Sequence, residues 1–237
     1  MIITSRNLAY YDLNTALTGL LYWNPEQVES APGILLIHGG AGLDEHARDQ
    51  ALRYAELGYT VLACDMYGPG VAGDRERVLE CVRALRDDPA LLRRRAAAGL
   101  AALVDSPEAG GGHAAIGFCF GGMTALELAR SGANLAAAVS IHGSLGSKAP
   151  ARPGALTAKV LVCHGASDPH VPTAEVTTFA DEMDHAGADW QLIMYGGAVH
   201  GFTHAHAAPG AMTGVAYDRS ADQRSFNATT AFLAEAI

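Results

Sequence analysis

The chain has 237 residues, 49% of them apolar and 17% charged, which is long enough for a sizeable core in one α/β domain and too apolar for a disordered chain. No uninterrupted apolar run approaches the ~20 residues that a membrane helix requires, and a formal charge of -9 excludes the basic face that broad electrostatic binding to nucleic acid needs. Four cysteines without tight spacing (Cys64, Cys81, Cys119, Cys163) suit neither a disulfide framework nor a cysteine-rich zinc site, so free thiols are expected. The opening residues MIITSRNLAYYDLN lack a basic segment followed by an apolar core, and a cytoplasmic location is expected.

In chain order, Leu8–Tyr11 and Leu17–Trp23, separated by Asp12 and Asn14, predict an antiparallel N-terminal strand pair. After Pro25 and Pro32, Gly33–His38 is a continuous apolar run, as expected for a strand buried on both faces, and it ends in Gly39-Gly40-Ala41-Gly42. Asp44 is placed to cap a helix reaching about Leu57, closed by Gly58, and Tyr59–Cys64 predicts the next buried strand. Asp74 to about Asp105 is helical in pattern, with a break at Asp87-Asp88-Pro89. Further strands are predicted at Leu135–Ile141, Lys159–His164 and Trp190–Tyr195, and helices at Pro172–His185 and about Ala221–Ala236. Strands alternating with helices imply a mostly parallel sheet covered on both faces, within one domain spanning residues 1–237.

Between these elements, Ala114–Met123 reads AAIGFCFGGM. An apolar run climbs into Gly117-Phe118-Cys119-Phe120-Gly121, and a helical pattern follows at once. This is the G-x-C-x-G form of the nucleophile elbow, in which a nucleophile is held at the tip of a tight strand-to-helix turn. Such a turn needs neighbours without Cβ atoms, and Gly117, Gly121 and Gly122 supply them.

In an open parallel sheet, chemistry gathers at the carboxyl ends of the strands. Three predicted strand ends carry Cys119, Asp168 and His200, in the order nucleophile, acid, histidine that characterises α/β-hydrolase triads. In that role the Cys119 thiolate attacks an acyl carbonyl, His200 moves the protons, and Asp168 orients the imidazole. Backbone N–H groups of Phe120 and of the Gly39–Gly42 loop, at Gly40, are the expected oxyanion donors.

The elbow GFCFGG, HGASD around Asp168, AVHGF around His200 and GYTVLACDMYG at residues 58–68 resemble the dienelactone hydrolase family of α/β hydrolases, from about Gly33 to the C-terminus. The resemblance implies a cofactor-independent esterase-type hydrolase with a Cys-His-Asp triad; the best-known members open small cyclic enol esters. Members often carry a glutamate just after the position of His38, where this chain has Gly39. They hold a substrate carboxylate with arginines, one of them at the position similar to His204 and another loosely matched by Arg75 or Arg77. Tyr67, Arg75 and His204 are the candidate substrate-binding residues under this resemblance.

Plainer roles account for other features. Cys64, Cys81 and Cys163 read as small core residues, and His38 as a hydrogen-bonded structural histidine. The H-x3-H-x-H spacing of His200, His204 and His206 has no matching Cys, Asp or Glu cluster, so surface histidines are favoured over a metal site. Seven of the 16 basic residues fall between Arg75 and Arg95, a run expected to be a solvated helix face. The expected protein is a hydrolase of small esters or lactones, a monomer or small homo-oligomer without nucleic-acid or membrane partner. The alternatives are a thiol hydrolase of thioesters or peptides, a non-catalytic binder of small anions, and a metal-dependent hydrolase.

Overall fold

The structure is a computed structural model that describes residues 2–27, 31–205, 210 and 212–237. Among them one sheet is assembled from β1 (Thr4–Asp12), β2 (Thr15–Trp23), β3 (Gly33–Ile37), β4 (Thr60–Cys64), β5 (His113–Phe118), β6 (Ala137–Ile141), β7 (Lys159–Gly165) and β8 (Trp190–Tyr195). Their spatial order is β1-β2-β4-β3-β5-β6-β7-β8. β1 pairs antiparallel with β2 and β2 with β4; every later pairing is parallel. This is the α/β architecture that the alternating pattern predicts.

The helices are α1 (Glu45–Ala55), α2 (Arg75–Asp87), α3 (Pro89–Val104), α4 (Phe120–Arg130), α5 (Thr173–Ala186) and α6 (Arg219–Ala236). Because side chains alternate across a strand, Leu35 and Ile37 join the core under α3, α4 and α5, whereas Ile34 and Leu36 join the core under α1 and α6. All five residues of β3, β4 and β6 are buried, as strands covered on both faces require. No described helix is long and apolar enough to cross a membrane.

Helix boundaries follow local chemistry. The carboxylate of Asp44 accepts from the Ala47 N–H at 3.0 Å, and that of Asp74 from Glu76 and Arg77. Asp88 ends α2 and caps α3 through the N–H groups of Ala90 and Leu91, with Pro89 in the first turn. The predicted break at Asp87-Asp88-Pro89 is therefore a shared cap between two helices.

Three expectations need correction. The N-terminal pair begins at Thr4, because Arg6 on its half-buried face is held by Glu108 at 2.9 Å, and a two-residue turn with Leu13 at φ 54° joins the strands. The basic run is more than a solvated face: Arg94 and Arg95 converge on buried Asp12 at 2.6 and 3.1 Å, and Arg93 reaches Glu127 at 2.8 Å. Cys64 and Cys163 are buried as expected, but Cys81 on α2 is only partly covered.

Candidate active site

The parallel strands deliver four loops to one edge of the sheet: Gly39–Gly42 after β3, Cys119 after β5, Asp168 after β7 and His200 beyond β8. Cys119 sits between β5 and α4 with φ 54° and ψ -113°, a conformation costly for a residue with a side chain. The turn tolerates no Cβ around it. A methyl at Gly117 would collide with the Gly121 carbonyl, and one at Gly121 with the carbonyls of Ile37 and His38. The strain is thus imposed by close backbone packing, which also fixes where the sulfur points.

His200 Nε2 lies 3.0 Å from Cys119 Sγ, and His200 Nδ1 lies 2.8 Å from Asp168 Oδ2. Residues 81 and 32 positions apart in sequence thereby form one hydrogen-bonded chain. Asp168 is anchored in turn by the His170 N–H at 2.8 Å. Burial would push the Cys119 thiol up. The hydrogen bond and charge of His200, aided by the backbone N–H groups of Phe120 and Gly40, overcome that and hold it below the ordinary thiol range. Burial likewise opposes charge on His200, yet Asp168 and Cys119 raise its imidazole above its usual value. Burial is again outweighed at Asp168, where His200 holds the carboxyl below the normal range. All three shifts favour a resting thiolate–imidazolium pair oriented by a carboxylate.

The loop that aims the Gly40 N–H is steadied from behind. His38 is fully buried; its Nδ1 lies 2.7 Å from the Gly39 carbonyl while its Nε2 accepts from the Met66 N–H at 3.2 Å. Those two partners fix the neutral Nδ1–H tautomer, since Nε2 is the acceptor. Tyr67 stands beside it and its hydroxyl donates to the Gly40 carbonyl at 3.0 Å. Tyr67 is therefore behind the oxyanion loop and does not line the cavity, unlike the substrate-contacting place suggested for it. Asp65, a possible rival acid, spends its carboxylate on the N–H groups of Thr18, Tyr67 and Gly68.

In front of the sulfur opens a cavity of about 1180 Å³, whose wall includes Gly40, Cys119, Phe120, His200 and His204, with Arg75 at its α2 side. One cluster, partly on this wall and partly buried behind it, was missed by sequence reasoning. The Thr203 hydroxyl lies 2.8 Å from His142 Nε2 and 3.0 Å from His46 Nε2. The His46 ring stacks on His204 with centroids 3.8 Å apart, and His142 meets His200 edge-on at 5.4 Å. Thr203 has one proton to donate, so at least one of the two rings donates to its hydroxyl oxygen. The adjacency of Thr203 and His204 to the His200 motif was the only local signal for this cluster. Among the described residues no group of three or more His, Cys, Asp or Glu could hold a metal ion; His206 lies outside them.

Strand-end placement, a strained elbow and an ordered Cys, Asp and His together define an α/β hydrolase. Residues 17–237 match the dienelactone hydrolase family, and the chain belongs to that family. Its solved relatives include m3DLH, 40% identical over 99% of both chains with a TM-score of 0.93. Another is a dienelactone hydrolase-like promiscuous phosphotriesterase from metagenomic libraries, 38% identical over 100% of this chain and 99% of its own, with a TM-score of 0.92. A Yersinia pestis protein named provisionally as a carboxymethylenebutenolidase is 29% identical over 184 residues, 72% of this chain and 68% of its own.

Proposed function

We propose that the protein hydrolyses small carboxylic esters or lactones through a covalent thioester on Cys119. The observation that carries this reading is the continuous Cys119–His200–Asp168 chain at 3.0 and 2.8 Å facing the cavity. The thiolate attacks the carbonyl carbon, forming a C–S bond and placing the oxyanion against the N–H groups of Phe120 and Gly40. The C–O bond to the leaving group then breaks as the His200 imidazolium returns its proton to the departing oxygen. Neutral His200 takes a proton from water, whose oxygen attacks the thioester; the C–S bond breaks, the acid leaves, and the thiolate–imidazolium pair is restored. Asp168 stays ionised throughout and stabilises each imidazolium. No cofactor or metal enters these steps.

The test is rapid mixing with a short-chain p-nitrophenyl ester. A burst of p-nitrophenol equal to the enzyme concentration, and an acyl mass on the peptide containing Cys119, are expected; turnover by Cys119→Ala at the wild-type rate would overturn the reading. Acyl thioesters and peptides run beside it distinguish the other thiol-hydrolase chemistry.

A second reading is favoured by the phosphotriesterase relative, which is similar over essentially the whole chain. The same thiolate and N–H groups can meet a phosphoryl centre, with the P–O bond to an aryl leaving group breaking as the S–P bond forms. Slow release of p-nitrophenol from an aryl dialkyl phosphate, lost in Cys119→Ala, is the expected result.

A further inference from the structure

We propose that His204 is a specificity-determining residue, the neutral wall of a cavity that admits uncharged esters and rejects acyl groups bearing a carboxylate. The proposal rests on the thiol-hydrolase reading and concerns the charge of its substrate.

Among the described residues the lysines and arginines on the cavity wall are Arg53, Arg75 and Arg86. Arg53 is spent on Asp222 at 3.0 Å and lies over the Phe226 ring at 4.0 Å. Arg75 and Arg86 are exposed at the rim on α2. Neither arginine nor lysine occurs between Gly201 and Asp218, so the segment after His200 brings none. Against these three stand Asp44, Glu45, Asp49 and Asp222 on the same wall. The triad itself, with a thiolate, an imidazolium and a carboxylate, carries one further net negative charge.

His204 lies on this wall close to the elbow. Its Cε1 is 3.9 Å from where a side chain on Gly39 would begin, a point that is also 3.9 Å from Cys119 Cβ. The ring is stacked on His46. Burial lowers the pKa of both, that of His46 to about 3, so this pair faces the cavity uncharged at neutral pH. Between the rim arginines, α2 gives the cavity apolar side chains. Val78, Leu79 and Val82 of α2 line it with Met123, and Leu79 and Met212 are large apolar side chains left exposed at the cavity. A buried substrate carboxylate would find no free cation beside the sulfur and would be repelled by the acids around it. An apolar acyl or aryl group would instead cover Leu79 and Met212.

The experiment compares p-nitrophenyl butyrate with p-nitrophenyl hemisuccinate, in which a carboxylate replaces the terminal methyl, each corrected for its spontaneous rate. Wild-type kcat/KM should favour the butyrate by roughly 100-fold, the scale of an unpaired, like-charged group in a desolvated site. His204→Arg should narrow that ratio by about tenfold or more, because a cation then stands beside the carboxylate, and His204→Gln should keep it within about threefold. Wild-type rates on the two esters within about threefold of one another would overturn the proposal, whether or not the arginine variant folds. Turnover of neither ester, with no acyl mass on Cys119, would instead overturn the thiol-hydrolase reading beneath it.

Discussion

The two ends of α4 treat buried polar groups in opposite ways. At the N-terminal end Cys119 is strained, has no side-chain cap bond, and directs its sulfur at a histidine 3.0 Å away on the cavity wall. At the C-terminal end the Arg130 side chain is wholly buried and engages four of its five N–H donors: a bidentate pair with Glu182 at 2.8 and 2.7 Å, a bond to Glu127 at 3.2 Å, and one to the Leu145 carbonyl at 2.6 Å. Glu175 completes that clamp by accepting from the N–H groups of Leu145 and Gly146 at 2.6 and 2.9 Å. The first end leaves its reactive group facing the cavity, and the second spends its donors on structure. A helix locked at its far end, with Gly117 and Gly121 packed against backbone at its near end, holds the strained residue in place.

Breaking the near end should give the largest effect. Cys119→Ala is expected to lower kcat on an aryl ester by at least about 10⁴-fold, with only a small change in the denaturation midpoint, because alanine meets the same φ and gives up one side-chain bond, that from Sγ to His200 Nε2. Breaking the far end should reverse that division. Arg130→Ala leaves Glu182 without its bidentate partner and buried Glu127 with Arg93 alone, and should cost about 3–5 kcal/mol in urea unfolding. Arg130→Lys should recover only part, since one ammonium cannot reproduce the paired bonds to Glu182. Equal stability losses from Cys119→Ala and Arg130→Ala would dissolve the distinction.

The near end was legible in the sequence and the far end was not, for a physical reason. An elbow forbids side chains at fixed offsets, so its sterics are written as glycines around one residue; the caps at Asp44, Asp74 and Asp88 are similarly local. The Arg130–Glu182 pair joins residues 52 apart, and the Thr203 hydroxyl meets His46 across 157. Such contacts depend on how helices settle on the sheet, which no local period records. Tyr67 illustrates the limit. Its position at a strand end was readable, but whether it faced the cavity or the back of the loop depended on His38 and Gly40.

A smaller effect sharpens the account of the near end. An ideal Cβ at Gly39 meets its neighbours only at ordinary contact distances of 3.7 to 3.9 Å, so a side chain can start there. Gly39→Glu should place a second negative charge near the sulfur and raise the thiol pKa by about one unit or more. In wild type, iodoacetamide alkylation of Cys119 should remain fast below the pH range of a free thiol, because His200 holds the sulfur ionised. The variant should alkylate about tenfold more slowly at pH 6 and approach wild type at high pH. Identical pH–rate profiles would mean that position 39 has no electrostatic hold on the sulfur.

The smallest effect tests whether burial is what gives the far end its weight. Arg6 and Glu108 also form a two-bond pair, at 2.9 Å for each bond, but the Arg6 side chain is 37% exposed whereas that of Arg130 is 0% exposed. The Arg6 hydrogen bond is the main reason the Glu108 pKa falls to about 2. A carboxylate depressed in the folded state stabilises above its unfolded pKa and loses that contribution as pH falls through the folded value. Solvent screening limits the pair to at most about 1 kcal/mol. Glu108→Gln should therefore cost no more than about 1 kcal/mol in urea unfolding at pH 7, and the difference from wild type should shrink between pH 5 and pH 2. A loss comparable to that of Arg130→Ala would show that pair geometry, rather than burial, sets the difference between these ion pairs.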